Sequence, residues 1–166
     1  MFSSYFLRIS NYSTFRFILE VTALAFLSRF ILVLPIALLL SIFNVDLGKP
    51  NIEVLEIENQ FWQTVFIAVI IAPIVETIIF QWFPLTIFKL LRVPNLITLI
   101  ITTYIFAYAH LDDGLINFIG MLPIGFLFVW AFYVRRRISV FNAMFTVFAI
   151  HSLTNALAVT LFILGI

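Results

Sequence analysis

Residues 72–83 read APIVETIIFQWF, and a single carboxylate, Glu76, stands in the middle of this apolar stretch. Placing an ionised acidic side chain in hydrocarbon costs about 2.5–3.5 kcal/mol on insertion scales. Residues that bear this cost are rare in membrane spans and are functional candidates by default. Glu76 is therefore the first candidate for a functional residue in this chain.

The composition around this stretch is that of an integral membrane protein. Of the 166 residues, 64% are hydrophobic and 10% are charged, and the mean hydropathy is +1.19. These values lie far outside the range of soluble domains. The absence of cysteine excludes disulfides, thiolate metal sites and a cysteine nucleophile. A net charge of +1 with no long basic tract predicts no nucleic-acid partner.

The apolar segments predict an all-α membrane protein with about five transmembrane helices and an N-terminal interfacial helix. Residues 1–20 place apolar and polar side chains at helical spacing, the pattern of a helix lying in the membrane interface. The remaining residues, 21–166, form one polytopic domain. Its spans are expected at about residues 21–44, 61–89, 95–110, 115–134 and 139–166, with an extramembrane loop at 45–60.

Loop charges predict the orientation of these spans. The basic residues fall at one end of the spans: Arg8, Arg16, Lys89, Arg92 and Arg135 to Arg137. The acidic loop at 45–60 and the turn with Asp112 and Asp113 fall at the other end. The excess of basic residues in cytoplasmic loops predicts a cytoplasmic N-terminus, in what we expect to be a bacterial cell membrane.

Two residues of the first two spans need a structural explanation. Arg29 is expected to snorkel to the nearer interface, in preference to reaching into the helix bundle. The alternative is that Glu76 is only its structural ion-pair partner. Pro73 is expected to bend the second span and to free a carbonyl one turn back, which neighbouring groups must satisfy.

The two histidines of the chain fall at nearly the depth of Glu76. At 1.5 Å per residue, Glu76, His110 and His151 lie roughly 20, 22 and 18 Å from the basic ends of their own helices. Three helices thus bring polar groups to one level, as a shared intramembrane site requires. Taken singly, His110 fits an interfacial loop residue, and His151 with Asn155 fits interhelical hydrogen bonding.

Three short motifs resemble those of the CAAX prenyl protease and bacteriocin-processing family, called CPBP or Abi, of intramembrane glutamate proteases. The first family motif is EExxxR. In this chain Glu76 stands at its first Glu, while Thr77 and Gln81 stand at its second Glu and its Arg. An ion pair exchanged for a hydrogen-bonding pair leaves no orphan charge, so we expect Thr77 and Gln81 to interact.

The second and third family motifs are complete. FxxxH stands as Phe106 and His110, and HxxxN stands as His151 and Asn155. Both histidines of the chain match, in family order and on separate predicted helices. The resemblance covers about residues 61–160.

The resemblance implies an endopeptidase acting on a membrane-associated, prenylated or leader-type peptide. Peptide hydrolysis needs a base for water and donors for the developing oxyanion. By the resemblance Glu76 would be the base and His110 would share its water. His151 and Asn155 would then stabilise the oxyanion. No cofactor is expected.

Other functions remain open at this stage. Glu76, His110 and His151 have the composition of a three-ligand zinc site, although HExxH or another local ligand spacing is absent from the sequence. A non-catalytic relative, such as a bacteriocin self-immunity or accessory membrane protein, is the main alternative. A small proton-coupled transporter would use the same three residues as a relay, but the short chain shows no internal repeat.

Overall fold

The computed structural model describes residues 2–45, 61–112 and 114–164, and no β-strand occurs among them. The predicted all-α fold is confirmed. Within these described residues, nine α-helical segments follow one another: α1 (Phe2–Ser10), α2 (Thr14–Ser28), α3 (Leu34–Ile42), α4 (Phe61–Phe66), α5 (Ala72–Glu76), α6 (Phe83–Leu90), α7 (Asn95–Tyr108), α8 (Leu115–Arg135) and α9 (Val140–Leu164). The predicted polar loop and Asp113 lie outside the described residues.

In the part of the chain that the structure describes, four continuous helices are long and apolar enough to cross a membrane: Thr14–Ile42, Phe61–Leu90, Leu115–Arg135 and Val140–Leu164. The fifth expected span, α7, has 14 residues, which is about 21 Å of helix against a hydrocarbon core of about 30 Å. Helix α7 is therefore apolar but shorter than the four helices that can cross a membrane.

The first spanning helix begins at Thr14, before the expected start at residue 21. Ser13 caps it, because its hydroxyl accepts a hydrogen bond from the Arg16 N–H. The N-terminal helix α1 does not lie free of the bundle, since Ile9 of α1 and Phe17 of α2 are both fully buried. Helix α1 is therefore anchored to the core of the bundle by its own apolar side chains.

Arg135 ties this N-terminal turn to the end of α8. Its guanidinium donates hydrogen bonds to the Tyr12 carbonyl at 2.9 Å and to the Ser13 carbonyl at 3.2 Å. The neighbouring Arg136 donates to the Leu85 carbonyl of α6 at 3.1 Å. The basic ends of α2, α6 and α8 therefore lie together at one end of the bundle, as the charge pattern predicts.

The helix Phe61–Leu90 is interrupted by two π-helical segments, Ile67–Ile71 and Thr77–Trp82. Each precedes an α-helical segment with proline at its start, Pro73 in α5 and Pro84 in α6. A third π segment, Arg29–Val33, precedes Pro35 in the same way. Proline lacks an N–H and its ring clashes with the carbonyl four residues earlier, so a locally wider turn accommodates it.

The π segment before Pro73 leaves two carbonyls without their usual helical partners. The Ala72 N–H donates to the Ile67 carbonyl instead of the Ala68 carbonyl. Pro73 has no N–H to offer the Val69 carbonyl, which lies four residues earlier. Groups from another helix must satisfy the carbonyls of Ala68 and Val69, as the sequence predicted for a carbonyl near Pro73.

Helix α8 lies at the centre of the bundle, where α2, α7 and α9 pack against it. Gly125 allows the closest approach, because a Cβ at this position would lie 2.7 Å from Cδ1 of Phe106 on α7. Phe106 is fully buried as a result. This contact fixes the aromatic part of the second motif against the central helix.

Candidate active site

Glu76, His110 and His151 meet in the structure at one point between three helices. The Glu76 carboxylate oxygen Oε2 lies 3.8 Å from Nε2 of His110 and 3.8 Å from Nε2 of His151. The side chains are 22%, 19% and 6% exposed respectively, so the group is sheltered but reachable. Both distances are longer than a direct hydrogen bond. The three side chains therefore converge in the structure, as their depth along the helices predicted.

His110 follows the end of α7, which stops at Tyr108. Its Nδ1 lies 2.9 Å from the carbonyl oxygen of Phe106. Because a carbonyl only accepts hydrogen bonds, Nδ1 is the donor in this contact, and in the neutral imidazole Nε2 then carries the lone pair that faces Glu76. His110 thus lies in a turn, yet its ring faces the site and is not a solvent-facing loop side chain.

The two histidine rings are held by phenylalanine side chains. The Phe106 ring centroid lies 4.9 Å from that of His110 and 6.1 Å from that of His151. Phe128 of α8 lies 4.7 Å from His151. Phe106 of the second motif therefore packs between the two histidines. Nothing in the sequence distinguishes Phe128 as a site residue, because the chain has 21 phenylalanines.

Helix α9 supplies the partners for the two carbonyls left by Pro73. Asn155 donates through Nδ2 to the Ala68 carbonyl at 2.8 Å, and Ser152 donates to the Val69 carbonyl at 2.6 Å. Asn155 also lines the cavity that contains Glu76, whereas Ser152 does not. Asn155 thus has a structural contact beside any chemical role, and Ser152 is a structural residue that the motifs did not reveal.

A cavity of about 190 Å³ surrounds the group, and Arg29 is among its lining residues: Arg29, Glu76, Phe106, His110, Met121, Ile124, His151, Thr154 and Asn155. The expectation that Arg29 snorkels to an interface is wrong. Its Nη2 donates to Oδ1 of Asn117 on α8 at 2.8 Å, which holds the half-buried side chain in the bundle. Among the described residues, no carboxylate forms an ion pair with Arg29, so Glu76 is not its direct partner.

Thr77 and Gln81 are buried directly after Glu76, at 2% and 0% exposure. The expected hydrogen bond between them is absent. Among the described residues, neither the Thr77 hydroxyl nor either amide atom of Gln81 has a hydrogen-bond partner. Both lie in the π-helical segment Thr77–Trp82, where hydrogen bonds span five residues rather than four. The spacing expected for an α-helix therefore does not apply to this pair.

The zinc alternative can be compared with this arrangement. A catalytic zinc site needs three protein ligands that converge on one metal position. Within the part of the chain that the structure describes, no group of three or more histidine, cysteine, aspartate or glutamate side chains is arranged to hold a metal ion. The zinc alternative at Glu76, His110 and His151 therefore stays a hypothesis for experiment, and the mechanism proposed for the protein uses no metal.

Comparison with protein-family models identifies the family. Residues 58–157 match the model of the Type II CAAX prenyl endopeptidase Rce1-like family. The chain belongs to this family. The match contains the helix with Glu76, the second motif and the third motif, so it agrees with the resemblance seen in the sequence. No curated protein and no solved structure matches the chain.

The motif residues that form the site lie within the part of the chain that matches the family model. In this chain Glu76 of α5, His151 of α9 and His110, which follows α7, converge on one point. Sequence reasoning named these three and Asn155. It placed Arg29 at an interface, although the isolated charge was visible, because the sequence does not show which neighbour can accept its hydrogen bond.

Proposed function

We propose that the protein is an intramembrane endopeptidase that hydrolyses a peptide bond of a membrane-associated, prenylated or leader-type peptide. One observation carries the proposal. The buried Oε2 atom of Glu76 has no hydrogen-bond partner among the described residues, and it lies at the same distance from two imidazole nitrogens. A carboxylate in such surroundings is suited to accept a proton from a bound water.

The spacing of 3.8 Å fits a water shared between Glu76 and His110, because polar groups at this separation are commonly bridged by one water. Glu76 would take a proton as this water attacks the peptide carbonyl carbon, and would then pass the proton to the leaving amine. The lone pair on Nε2 of His110 would accept the second water hydrogen and orient the attack.

The oxyanion that forms on the peptide carbonyl needs N–H donors in a site sheltered from water. Nε2 of His151 faces the same point from α9, and Asn155 lies one turn further along that helix and lines the cavity. The Asn155 amide has two N–H groups, and its bond to Ala68 uses one of them. His151 and Asn155 are therefore the proposed oxyanion donors.

Arg29 supports an altered form of the first motif. Gln81 stands at the motif's arginine, but Arg29 brings a guanidinium into the Glu76 cavity from another helix. We propose that this compensates in part for the charge missing at position 81.

The second candidate function is a non-catalytic role, such as bacteriocin self-immunity or an accessory protein. It is favoured by the two uncharged residues of the first motif, Thr77 and Gln81. A binding protein would need the shape of the cavity but not the basicity of Glu76. Substitution of Glu76 by its amide separates the two functions.

The test compares Glu76→Gln with the wild-type protein in lipid nanodiscs, using a library of membrane-associated peptides. The amide keeps the volume of the side chain but cannot take a proton from water, so we expect proteolysis to fall at least about 100-fold. Expression and helix content should stay nearly unchanged.

Glu20→Gln is the matched control, because it removes a carboxylate that contacts Tyr5 and Arg16 outside the cavity. It should keep wild-type turnover. Glu76→Gln activity within about threefold of wild type would remove Glu76 as the general base. Wild-type protein that binds peptides without cleaving any would favour the non-catalytic function.

A further inference from the structure

A second cavity, of about 390 Å³, opens at the basic end of the bundle between α6, α7 and α8. Four of its lining residues are cationic, and none of the lining residues described is acidic: the cations are Lys89, Arg92, Arg136 and Arg137. It shares no lining residue with the Glu76 cavity. Nearly half of the nine lysines and arginines in the chain therefore surround one concave site.

The backbone around Arg92 supports a binding role for this cavity. Arg92 follows α6 and has a φ of +56°. Its N–H donates to the Lys89 carbonyl, and the Val93 N–H donates to the Phe88 carbonyl. This pattern closes a helix with one residue in the left-handed region, usually glycine. A side chain there is unfavourable, and such residues concentrate at ligand sites. Arg92 also lines the cavity.

Further groups of the cavity favour a negative ligand. Helix α7 begins at Asn95, so its positive dipole end and its first N–H groups lie beside the cations. The Tyr133 ring lies 5.9 Å from the Arg137 guanidinium and also lines the cavity. Arg136 is fixed by its bond to the Leu85 carbonyl. Four like charges around one space repel one another unless an anion lies between them.

We propose that this cavity binds the phosphate group of an anionic phospholipid. The basic end of a membrane bundle lies at headgroup level, where basic pockets between helices bind lipid phosphates. Leu90 and Leu91 follow Lys89 on the same turn and are 76% and 67% exposed, so apolar surface for acyl chains adjoins the cations. Soluble phosphate has the same charged group but lacks the chains. The proposal does not depend on the proteolytic function.

The test measures binding of phosphatidylglycerol to the purified full-length protein by native mass spectrometry, with phosphatidylcholine and inorganic phosphate as comparison ligands. Wild type should bind one phosphatidylglycerol in preference to phosphatidylcholine. Lys89→Gln/Arg92→Gln should weaken this binding about thirtyfold, equivalent to about 2 kcal/mol for two cations beside an anionic lipid. Arg137→Gln, on the α8 side of the cavity, should weaken it about fivefold.

The matched control is Arg8→Gln/Arg16→Gln, which removes two exposed cations from the same end of the bundle but outside the cavity. It should keep wild-type affinity for phosphatidylglycerol. Equal binding of phosphatidylcholine, or equal losses in the control and cavity variants, would overturn the site. Saturable inorganic phosphate binding as tight as that of the lipid would overturn the lipid assignment.

Discussion

The spanning helices Phe61–Leu90 and Val140–Leu164 contribute to the same site with very different regularity. The first changes between α-helical and π-helical hydrogen bonding at two places, whereas the second is one uninterrupted α-helix of 25 residues. Glu76 comes from the irregular helix and His151 from the regular one. The difference indicates that the regular helix holds the irregular one in place, through Ser152 and Asn155.

The strongest test of this comparison removes the histidines, one from the regular helix α9 and one from the turn after α7. His110→Ala should reduce turnover about 10²–10⁴-fold, the usual contribution of an acid–base group. His151→Ala should reduce it about 10²–10³-fold, the usual contribution of an oxyanion donor. The turnover of the double variant should be only slightly lower than that of the less active single variant. Groups that act as one unit lose most of their effect when the first of them is removed. Steady-state cleavage of a defined peptide measures this.

The proton-transporter hypothesis predicts an activity other than peptide cleavage. Reconstituted vesicles would then show a proton flux that is lost in Glu76→Gln. For proteolysis, a fold-loss in the double variant equal to the product of the two single fold-losses would show that His110 and His151 do not act as one unit.

The next prediction concerns the two side chains of α9 that donate hydrogen bonds to carbonyls near Pro73. Ser152→Ala and Asn155→Ala each leave one carbonyl near Pro73 without its donor, so both should lower stability by a similar amount, about 0.6–1.7 kcal/mol. Asn155→Ala should also reduce turnover about 100-fold as a lost oxyanion donor. Ser152→Ala should keep turnover within threefold. Thermal unfolding and cleavage rates, measured together, separate the two roles. Equal losses of turnover would leave Asn155 with a structural role alone.

A smaller effect concerns the π segment after Glu76. Thr77→Glu and Gln81→Arg should each destabilise the protein, because each places a charge at a buried position. The double variant restores the charges of the family's first motif. Its destabilisation should be smaller than the sum of the singles by at least about 1 kcal/mol. Simple additivity in a double-mutant cycle would mean that positions 77 and 81 do not meet across the wider turn.

The smallest expected change is the response to metal removal. Cleavage by wild-type protein should continue at its full rate after dialysis against a strong chelator, because the sequence contains neither HExxH nor another local ligand spacing. Elemental analysis of the active protein accompanies the rate measurement. Stoichiometric zinc, with activity lost to the chelator and restored by zinc, would replace the metal-free mechanism with a zinc-bound water.

Much of the architecture could be predicted because hydrophobicity and charge are local properties of the sequence. Helix depth alone brought Glu76, His110 and His151 to one level, and the carbonyl freed by Pro73 followed from proline chemistry. The position of Arg29 could not be predicted, since it depends on Asn117, 88 residues away. The missing contact between Thr77 and Gln81 depends on a π-helical turn, which sequence periodicity does not reveal.

The central claim is that Glu76 activates water for peptide hydrolysis, and isotope labelling tests it most directly. Purified wild-type and Glu76→Gln proteins are incubated with the same peptide library in ¹⁸O-labelled water, and new carboxyl termini are identified by mass spectrometry. Wild type should produce termini that carry one heavy oxygen, and Glu76→Gln should produce at least about 100-fold fewer of them. Labelled termini formed equally by both proteins, or formed by neither, would contradict the account.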